Sequence, residues 1–406
     1  MNELENKYIE LILNRCLNFK TSKSLMIHCD FKEHILFAQK VAKKAKELGV
    51  NDICINVNDL DEIHDYLKNT NIEDICINPL IDRTAWNTYA LKGGSCLFLT
   101  STVPGLMNDI EEAKIQKWIE ERSKTTEYYR NNVSKYTFPW CIVALPNQRW
   151  AKMIFNNDKN AYKKLYLNIM KMCMIDKDDP IKAWENYINE NNYYKEKLNN
   201  LEITSMHYKN SLGTDLHVGI PQGNRWINLD KTDASGNQMI VNMPSYEIFT
   251  TPDYRQTEGI VYSSRPLYYN DMCINNFSIT FKEGKIVSCK AETGQKILEK
   301  LIFENKNTNY LGEVALVPYS SPISNTGLVF NETLFDENAS CHLAIGMGFP
   351  KSFLDSDKLS QDELVSKGLN ISPIHVDFMI GTPDLEIEAD TKNGKKLIFK
   401  KGNFNI

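Results

Sequence analysis

The sequence predicts an N-terminal parallel-sheet α/β domain followed by a strand-rich α+β domain. Three observations support this fold class. The chain has 406 residues, more than one ordinary hydrophobic core accommodates. Its first 200 residues alternate short apolar runs with helical stretches, and beyond residue 201 strand-like runs with turn signals replace them. We therefore predict one domain at residues 1–200 and a second at residues 201–406.

Short apolar runs typical of buried strands recur along the N-terminal half. They lie at residues 24–28, 52–56, 74–78, 95–100 and 140–144. Apolar residues at helical spacing separate them, as at 33–48, where Gly49 ends the predicted helix, and at 110–129. This strand and helix alternation predicts a parallel sheet. Neither G-x-G-x-x-G nor G-x-x-x-x-G-K-[ST] occurs, so the sequence gives little support for a nucleotide site.

Residues 158–199 are highly charged and helical in pattern, and we interpret them as the bridge between the domains. The runs that follow alternate apolar and polar residues, as strands with one buried face do. They lie at 202–208, 214–219, 277–281 and 285–289. Lys282-Glu283-Gly284 predicts a hairpin between the last two runs, because such a turn needs backbone conformations that glycine adopts readily.

Composition excludes several function classes. With 42% hydrophobic and 24% charged residues the chain is typical of soluble globular proteins, and its net charge of -5 argues against a nucleic-acid partner. No run approaches the roughly 18 apolar residues of a membrane span, and the N-terminus lacks the order of a signal peptide. We expect a cytoplasmic protein without a membrane partner. The 10 cysteines lie far apart, so reduced thiols are expected.

Side chains that bind divalent metals occupy isolated positions within apolar segments of the second half. These candidate ligands are Glu247, Glu313, His342, His375 and Asp377. Burying an unpaired carboxylate is costly, and these segments contain no cluster of lysine or arginine, so a bound cation is expected beside them. A single glutamate in an apolar run could equally be a solvent-facing strand residue. Together the positions indicate a metallohydrolase.

The number of donors suits a pair of ions. Two divalent cations about 3.5–4 Å apart need about five to seven donors, with at least one carboxylate bridging. Residues two apart in a strand face the same way, so His375 and Asp377 can reach one cleft. Two ions that share a water would lower its pKa, and a general base must then accept its proton. Glu337, five residues before His342, is the candidate base.

The remaining histidines are interpreted as surface or hydrogen-bonded residues outside this site. They are His28, His34, His64, His207 and His217. Of these, only His217, which follows Thr214-Asp215 closely, keeps a functional role open, and we leave it out of the site. Cys341 beside His342 is a poor candidate for a nucleophile, because neighbours in a strand point to opposite faces.

Around these residues the chain resembles the M29 family of metalloaminopeptidases. The resemblance is collinear over nearly the whole length, and the C-terminal blocks are specific in combination. They are Asn242-Met243-Pro244 with Glu247-Ile248-Phe249, Gly312-Glu313, Glu337-Asn338 with His342-Leu343-Ala344-Ile345-Gly346, and Ile374-His375-Val376-Asp377-Phe378-Met379-Ile380-Gly381.

The resemblance implies an exopeptidase that removes N-terminal residues from peptides. The enzyme would use two divalent ions, which could be zinc, cobalt or magnesium. The resemblance also implies a homodimer. The five candidate ligands fall on metal-ligand positions of the family, with Glu313 as the bridge. Glu337 falls on a further acidic position of the site.

Two departures from the family pattern leave other functions open. Phe349 stands where the family has a tyrosine, so a hydroxyl that could bind an oxyanion is absent. Ser245-Tyr246 stands where the family usually has threonine and glutamate. The alternatives are a metal-dependent amidase or dipeptidase that acts on other amides, and a metal-binding homologue with weakened catalysis.

Overall fold

The computed structural model of the chain describes residues 2–19, 23–269 and 272–406. Packing divides the chain into two compact units. Unit 1 comprises Met1–Glu185 and Asp230–Pro244, and unit 2 comprises Asn186–Leu229 and Ser245–Ile406. The domain limits 1–200 and 201–406 stay a prediction.

The elements are numbered in chain order. The helices are α1 (Asn2–Leu11), α2 (Ile35–Glu47), α3 (Leu60–Asn69), α4 (Ile77–Leu91), α5 (Glu112–Thr125), α6 (Glu127–Ser134), α7 (Gln148–Ile154), α8 (Ala161–Met172), α9 (Pro180–Asn200), α10 (Gln295–Phe303), α11 (Thr333–Asp336) and α12 (Gln361–Ser366). The strands are β1 (Ser24–Cys29), β2 (Asp52–Val57), β3 (Ser95–Thr100), β4 (Trp140–Ala144), β5 (Ile203–Lys209), β6 (Asp215–Gly219), β7 (Ile227–Asn228), β8 (Asp230–Thr232), β9 (Gln238–Ile240), β10 (Asn242–Met243), β11 (Ile248–Thr250), β12 (Thr257–Tyr262), β13 (Leu267–Tyr269), β14 (Met272–Lys282), β15 (Lys285–Thr293), β16 (Leu311–Leu316), β17 (His342–Gly346), β18 (His375–Met379), β19 (Glu386–Thr391), β20 (Gly394–Lys400) and β21 (Asn403–Phe404).

Unit 1 is built on a parallel sheet with the order β10-β4-β3-β1-β2. On one part of this sheet Met26 and Cys96 pack into an aromatic cluster with Trp86, Tyr129 and Phe138. The predicted helices at 33–48 and 110–129 are found as α2 and as α5 with α6, and Gly49 follows the first at φ +87°. The prediction of an α/β fold with a parallel sheet is confirmed.

The prediction of a strand at residues 74–78 is wrong. Residues Ile72–Asp74 form a 3-10 turn, and α4 begins at Ile77. Ile75 is buried among apolar side chains of α3 and α5, whereas Ile77 is 65% exposed. Periodicity does not distinguish strand from helix in so short an apolar run. One buried isoleucine anchors this segment outside the sheet.

Unit 2 contains two main antiparallel sheets. The smaller has the order β18-β17-β16-β11-β7, and the larger has the order β13-β14-β12-β6-β5-β19-β20-β21, with β15 paired to β14. One hydrophobic core joins them, with Leu343 and Phe378 from the smaller sheet and Met206 and Ile279 from the larger. The predicted hairpin is found between β14 and β15, and the strand-rich α+β prediction is confirmed.

Two findings bear on the compositional expectations. The cysteines are free thiols, as expected from their spacing. Across the described ranges, no helix combines the length and the apolar character that a bilayer-crossing segment needs.

Gly346 lets two strands of the smaller sheet lie close together. It ends β17 with φ +97°, and a Cβ added there would lie 2.2 Å from the carbonyl oxygen of Ile374. Its register partner on β18 is His375. The glycine therefore controls the spacing between the strand that begins with His342 and the strand that carries His375.

We expect Gly346→Ala to destabilise the protein more than Gly327→Ala does. Both glycines have positive φ, at +97° and +66°, but an added Cβ at Gly327 meets nothing within 4 Å. Gly327→Ala should therefore cost only the strain of a left-handed alanine, about 1–2 kcal/mol. Gly346→Ala adds a clash with the backbone. Denaturant unfolding measures both losses, and equal losses would contradict the role given to Gly346.

Candidate metal centre

The predicted ligands converge at neighbouring strands of the smaller sheet of unit 2. Glu247 directly precedes β11, Glu313 lies in β16, His342 begins β17, and His375 and Asp377 lie in β18. Because β11, β16, β17 and β18 are consecutive in the sheet, residues distant in sequence become spatial neighbours. The structure brings all five together, while their role as metal ligands stays a proposal.

The five side chains form two overlapping groups of three. In the first, Glu247, Glu313 and His342 each offer a donor atom, and these atoms lie within 4.8 Å of one another. Glu313, His375 and Asp377 form the second group by the same measure. Glu313 is common to both, which is the position that a bridging carboxylate would occupy.

Short contacts connect the imidazoles to the carboxylates. Nε2 of His342 lies 3.2 Å from Oε2 of Glu247. Nε2 of His375 lies 2.9 Å from Oε2 of Glu313 and 3.3 Å from Oδ1 of Asp377. Donors bound to one tetrahedral zinc ion at about 2.0–2.1 Å are about 3.3 Å apart. The observed separations therefore match those of ligands around a shared ion.

Backbone carbonyls orient both imidazole rings. Nδ1 of His342 lies 3.2 Å from the carbonyl oxygen of Ser340, and Nδ1 of His375 lies 2.6 Å from that of Met347. A carbonyl oxygen only accepts, so each Nδ1 carries the proton and each Nε2 points towards the carboxylates. Histidines that bind metals typically show this arrangement.

Oδ1 of Asp377 provides a direct test of whether the residues fit a metal. This atom is buried and, among the described residues, makes no hydrogen bond of good geometry, although Nε2 of His375 lies 3.3 Å away. A buried carboxylate oxygen without a full hydrogen bond is costly. The second group of three therefore contains an oxygen that a cation would satisfy, and the donor set fits a divalent ion.

Burial disfavours the charged forms of the carboxyl groups at the site. Burial raises the pKa of Glu313 to about 7, although His375 opposes the shift. Burial and the nearby charges of Asp377 and Glu247 hold the pKa of Glu337 well above its usual range. Burial lowers the pKa of His342, but its contact with Glu247 and the other carboxylates outweighs burial and raises it to about 10. These shifts describe crowded, buried carboxyl groups that ionise more readily when positive charge lies beside them.

Histidine is the cationic side chain that meets these carboxylates. Within the part of the chain that the structure describes, no lysine or arginine forms an ion pair with Glu247, Glu313 or Asp377. In this part of the structure the carboxylates therefore meet imidazoles as their cationic partners.

Glu337 lies beside the two groups without belonging to either. It begins a 3-10 turn, Glu337–Ala339, that leads into β17. Its Oε1 accepts a hydrogen bond of 3.2 Å from Nδ2 of Asn338. Asn338 is buried, and its Oδ1 also accepts from the backbone N–H of Tyr246 at 2.6 Å. Asn338 therefore ties Glu337 to the chain just before Glu247.

Sequence reasoning missed the groups that hold the candidate ligands in place. Asn338 stands out in the sequence only as part of a family block, and the carbonyls of Ser340 and Met347 carry no side-chain signal. Oγ of Ser245 donates to Oε1 of Glu247 at 3.4 Å, so one departure from the family pattern touches a candidate ligand directly.

Phe349 and Cys341 occupy different environments near the site. The ring of Phe349 meets the ring of His375 edge-on, with centroids 4.9 Å apart. Cys341 directly precedes β17 and is buried in the hydrophobic core, where its thiol donates to the carbonyl of Val317 and burial raises its pKa to about 12. Phe349 therefore borders the candidate metal centre, while Cys341 faces the hydrophobic core, as predicted.

Comparisons with known proteins agree with the predicted resemblance. The family described as thermophilic metalloprotease (M29) matches residues 1–404. Aminopeptidase 2 of Geobacillus stearothermophilus is 33% identical over 404 residues, which cover 98% of this chain and 97% of that protein. Aminopeptidase AmpS of Bacillus subtilis (strain 168) is 32% identical over 404 residues, with 98% of each chain covered.

A solved structure also matches. Wild-type AmpT from Thermus thermophilus superimposes with a TM-score of 0.92 at 26% sequence identity, covering 100% of this chain and 99% of that chain. The similarity in fold thus extends over the whole length, and the predicted family is confirmed.

Proposed function

Because this chain belongs to the thermophilic metalloprotease (M29) family, we propose that it is a metal-dependent aminopeptidase that removes N-terminal residues from peptides. The proposal extends to a pair of divalent ions at the metal centre. The observation that supports a pair of ions is that Glu313 belongs to both groups of three donors. A single ion would leave one histidine and one carboxylate without a metal.

Each candidate ligand has a defined part in this proposal. Glu247 and His342 would hold one ion, His375 and Asp377 would hold the other, and Glu313 would contribute to both. Two imidazole nitrogens favour zinc or cobalt over magnesium, which prefers oxygen ligands. When bound, the ions supply a water of lowered pKa and polarise the scissile carbonyl.

Glu337 is proposed as the general base. It lies beside the candidate ligands, and Nδ2 of Asn338 donates a hydrogen bond to one of its carboxylate oxygens. In this role Glu337 accepts the proton of the attacking water and returns it to the leaving amine. We also propose a homodimer, as the family resemblance implies, and a cytoplasmic location, as expected from the sequence composition.

Phe349 favours one alternative, a metal-binding homologue with weakened catalysis. Its ring contacts His375, so a hydroxyl at this position would lie beside the metal centre. The other alternative, an amidase or dipeptidase acting on other amides, uses the same ligands. Substrate tests therefore decide between aminopeptidase and amidase.

Hydrolysis of amides with free and blocked amines tests the proposed function. We expect turnover of leucyl, arginyl or aspartyl amides, little turnover of their N-acetylated forms, and loss of activity after chelation. Glu313→Gln should lower metal content after dialysis and reduce kcat/KM by more than about 100-fold, because it changes the shared ligand.

Glu304→Gln, an exposed substitution in unit 2, is the matched control and should retain both properties. Activity that survives complete metal removal would contradict the metal-dependent proposal. Equal turnover of blocked amides would favour the amidase.

The variant Glu337→Gln tests whether Glu337 acts as a general base and not as a metal ligand. Because Glu337 lies outside both groups of three, we expect the variant to keep the metal content of the unmodified protein. Loss of the general base should lower kcat by about 10²- to 10⁴-fold, with a smaller effect on KM. Metal analysis and steady-state kinetics measure the two effects. An unchanged kcat, or loss of metal together with activity, would refute this assignment.

A further inference from the structure

A second group of metal donors lies on the larger sheet of unit 2. His207 is in β5, and Asp215 and His217 are in the neighbouring strand β6. Alternate residues of these strands, including Met206 and Leu216, are buried in the core. Because side chains alternate across a strand, the three polar residues share the solvent-facing surface. This group has no residue in common with the candidate metal centre.

The three side chains are already close together. His207 and His217 are directly opposed in the antiparallel register, and their rings stack with centroids 3.7 Å apart and an interplanar angle of 19°. Nε2 of His207 lies 2.5 Å from Oδ1 of Asp215. One donor atom from each residue lies within 4.8 Å of the other two.

An ion pair between His207 and Asp215 does not use the side chain of His217, the third residue of the group. Among the described residues, the ring nitrogens of His217 make no hydrogen bond, and the ring is exposed. A partly exposed pair of opposite charges contributes about 0–1 kcal/mol. The pair leaves the ring nitrogens of the stacked second imidazole unused, whereas a bound metal ion requires further donors.

The neighbouring strands place acidic side chains on either side of the histidines. Glu388 of β19 is opposite His207, and Glu258 of β12 is opposite His217. Lys395 donates to Oε1 of Glu388 at 2.8 Å, which neutralises that carboxylate. Lys209 is the register partner of Asp215. Acidic and basic groups are thus interspersed around the imidazole pair.

We propose that His207, Asp215 and His217 form a second metal site that binds one zinc, nickel or copper ion. Two imidazoles and one carboxylate select these ions over magnesium or calcium, which prefer oxygen ligands. Hydrogen-bonded strands fix the backbone positions of the ligands, so side-chain rotation alone closes the donor set. Three protein ligands leave a coordination position for water. A bound ion would link β5 to β6 on their exposed face.

Counting bound zinc in the full-length protein tests this site. After dialysis against buffered free zinc, we expect the unmodified protein to hold one equivalent more than the double variant His207→Gln, His217→Gln. His64→Gln is the matched control, because His64 also contacts carboxylates, Asp65 and Asp109, on the surface. This variant should keep the full zinc content. Equal zinc content in the unmodified protein and the double variant would overturn the proposal.

Two further measurements distinguish loss of this site from misfolding of the variant and from loss of zinc at the candidate metal centre. In protein labelled with 15N-histidine, zinc should shift the ring-nitrogen signals of His207 and His217, and unshifted signals would overturn the proposal without any variant. The extra equivalent should also persist in Glu313→Gln. If it disappears there, the additional ion belongs to the candidate metal centre and the surface site is refuted.

Discussion

The concentration of carboxylates around Glu313 is the constraint on which the site depends. Glu313 is 3% exposed in β16, with the strand of His342 on one side and the strand that follows Glu247 on the other. Burying several carboxylates together is unfavourable unless positive charge accompanies them. The imidazoles supply part of that charge, and a divalent cation would supply the rest. The sheet makes the arrangement possible because hydrogen-bonded strands hold the donors at fixed spacing.

Local periodicity predicted much of the fold and the strongest part of the site. His375 and Asp377 were expected to share one strand face, and β18 has that geometry. Strand pairing was harder to predict because it depends on contacts between distant residues. The short strand β10 pairs with β4 in the parallel sheet, although the two strands are far apart in the sequence. Because β10 has only two residues, its sequence pattern is too short to predict this pairing. The run at 74–78 was misassigned for a related reason, since tertiary burial of Ile75 decided its conformation.

The groups that orient the ligands were less accessible to sequence reasoning. The carbonyls of Ser340 and Met347 act through backbone geometry, which any residue type could supply. The pair His207 and His217 shows the same limit. As isolated histidines they were assigned no role, and the register between β5 and β6 places their rings face to face. Residue type thus indicated the candidate chemistry, while strand register determined which donors meet.

Anomalous X-ray diffraction from crystals of the metal-loaded protein tests the central claim most directly. Data collected on both sides of the absorption edge of zinc or cobalt locate each ion independently of activity. The account predicts two peaks that share Glu313, one beside Glu247 and His342 and the other beside His375 and Asp377. A single peak at this centre, or two peaks that do not both contact Glu313, would contradict the proposed bridged pair.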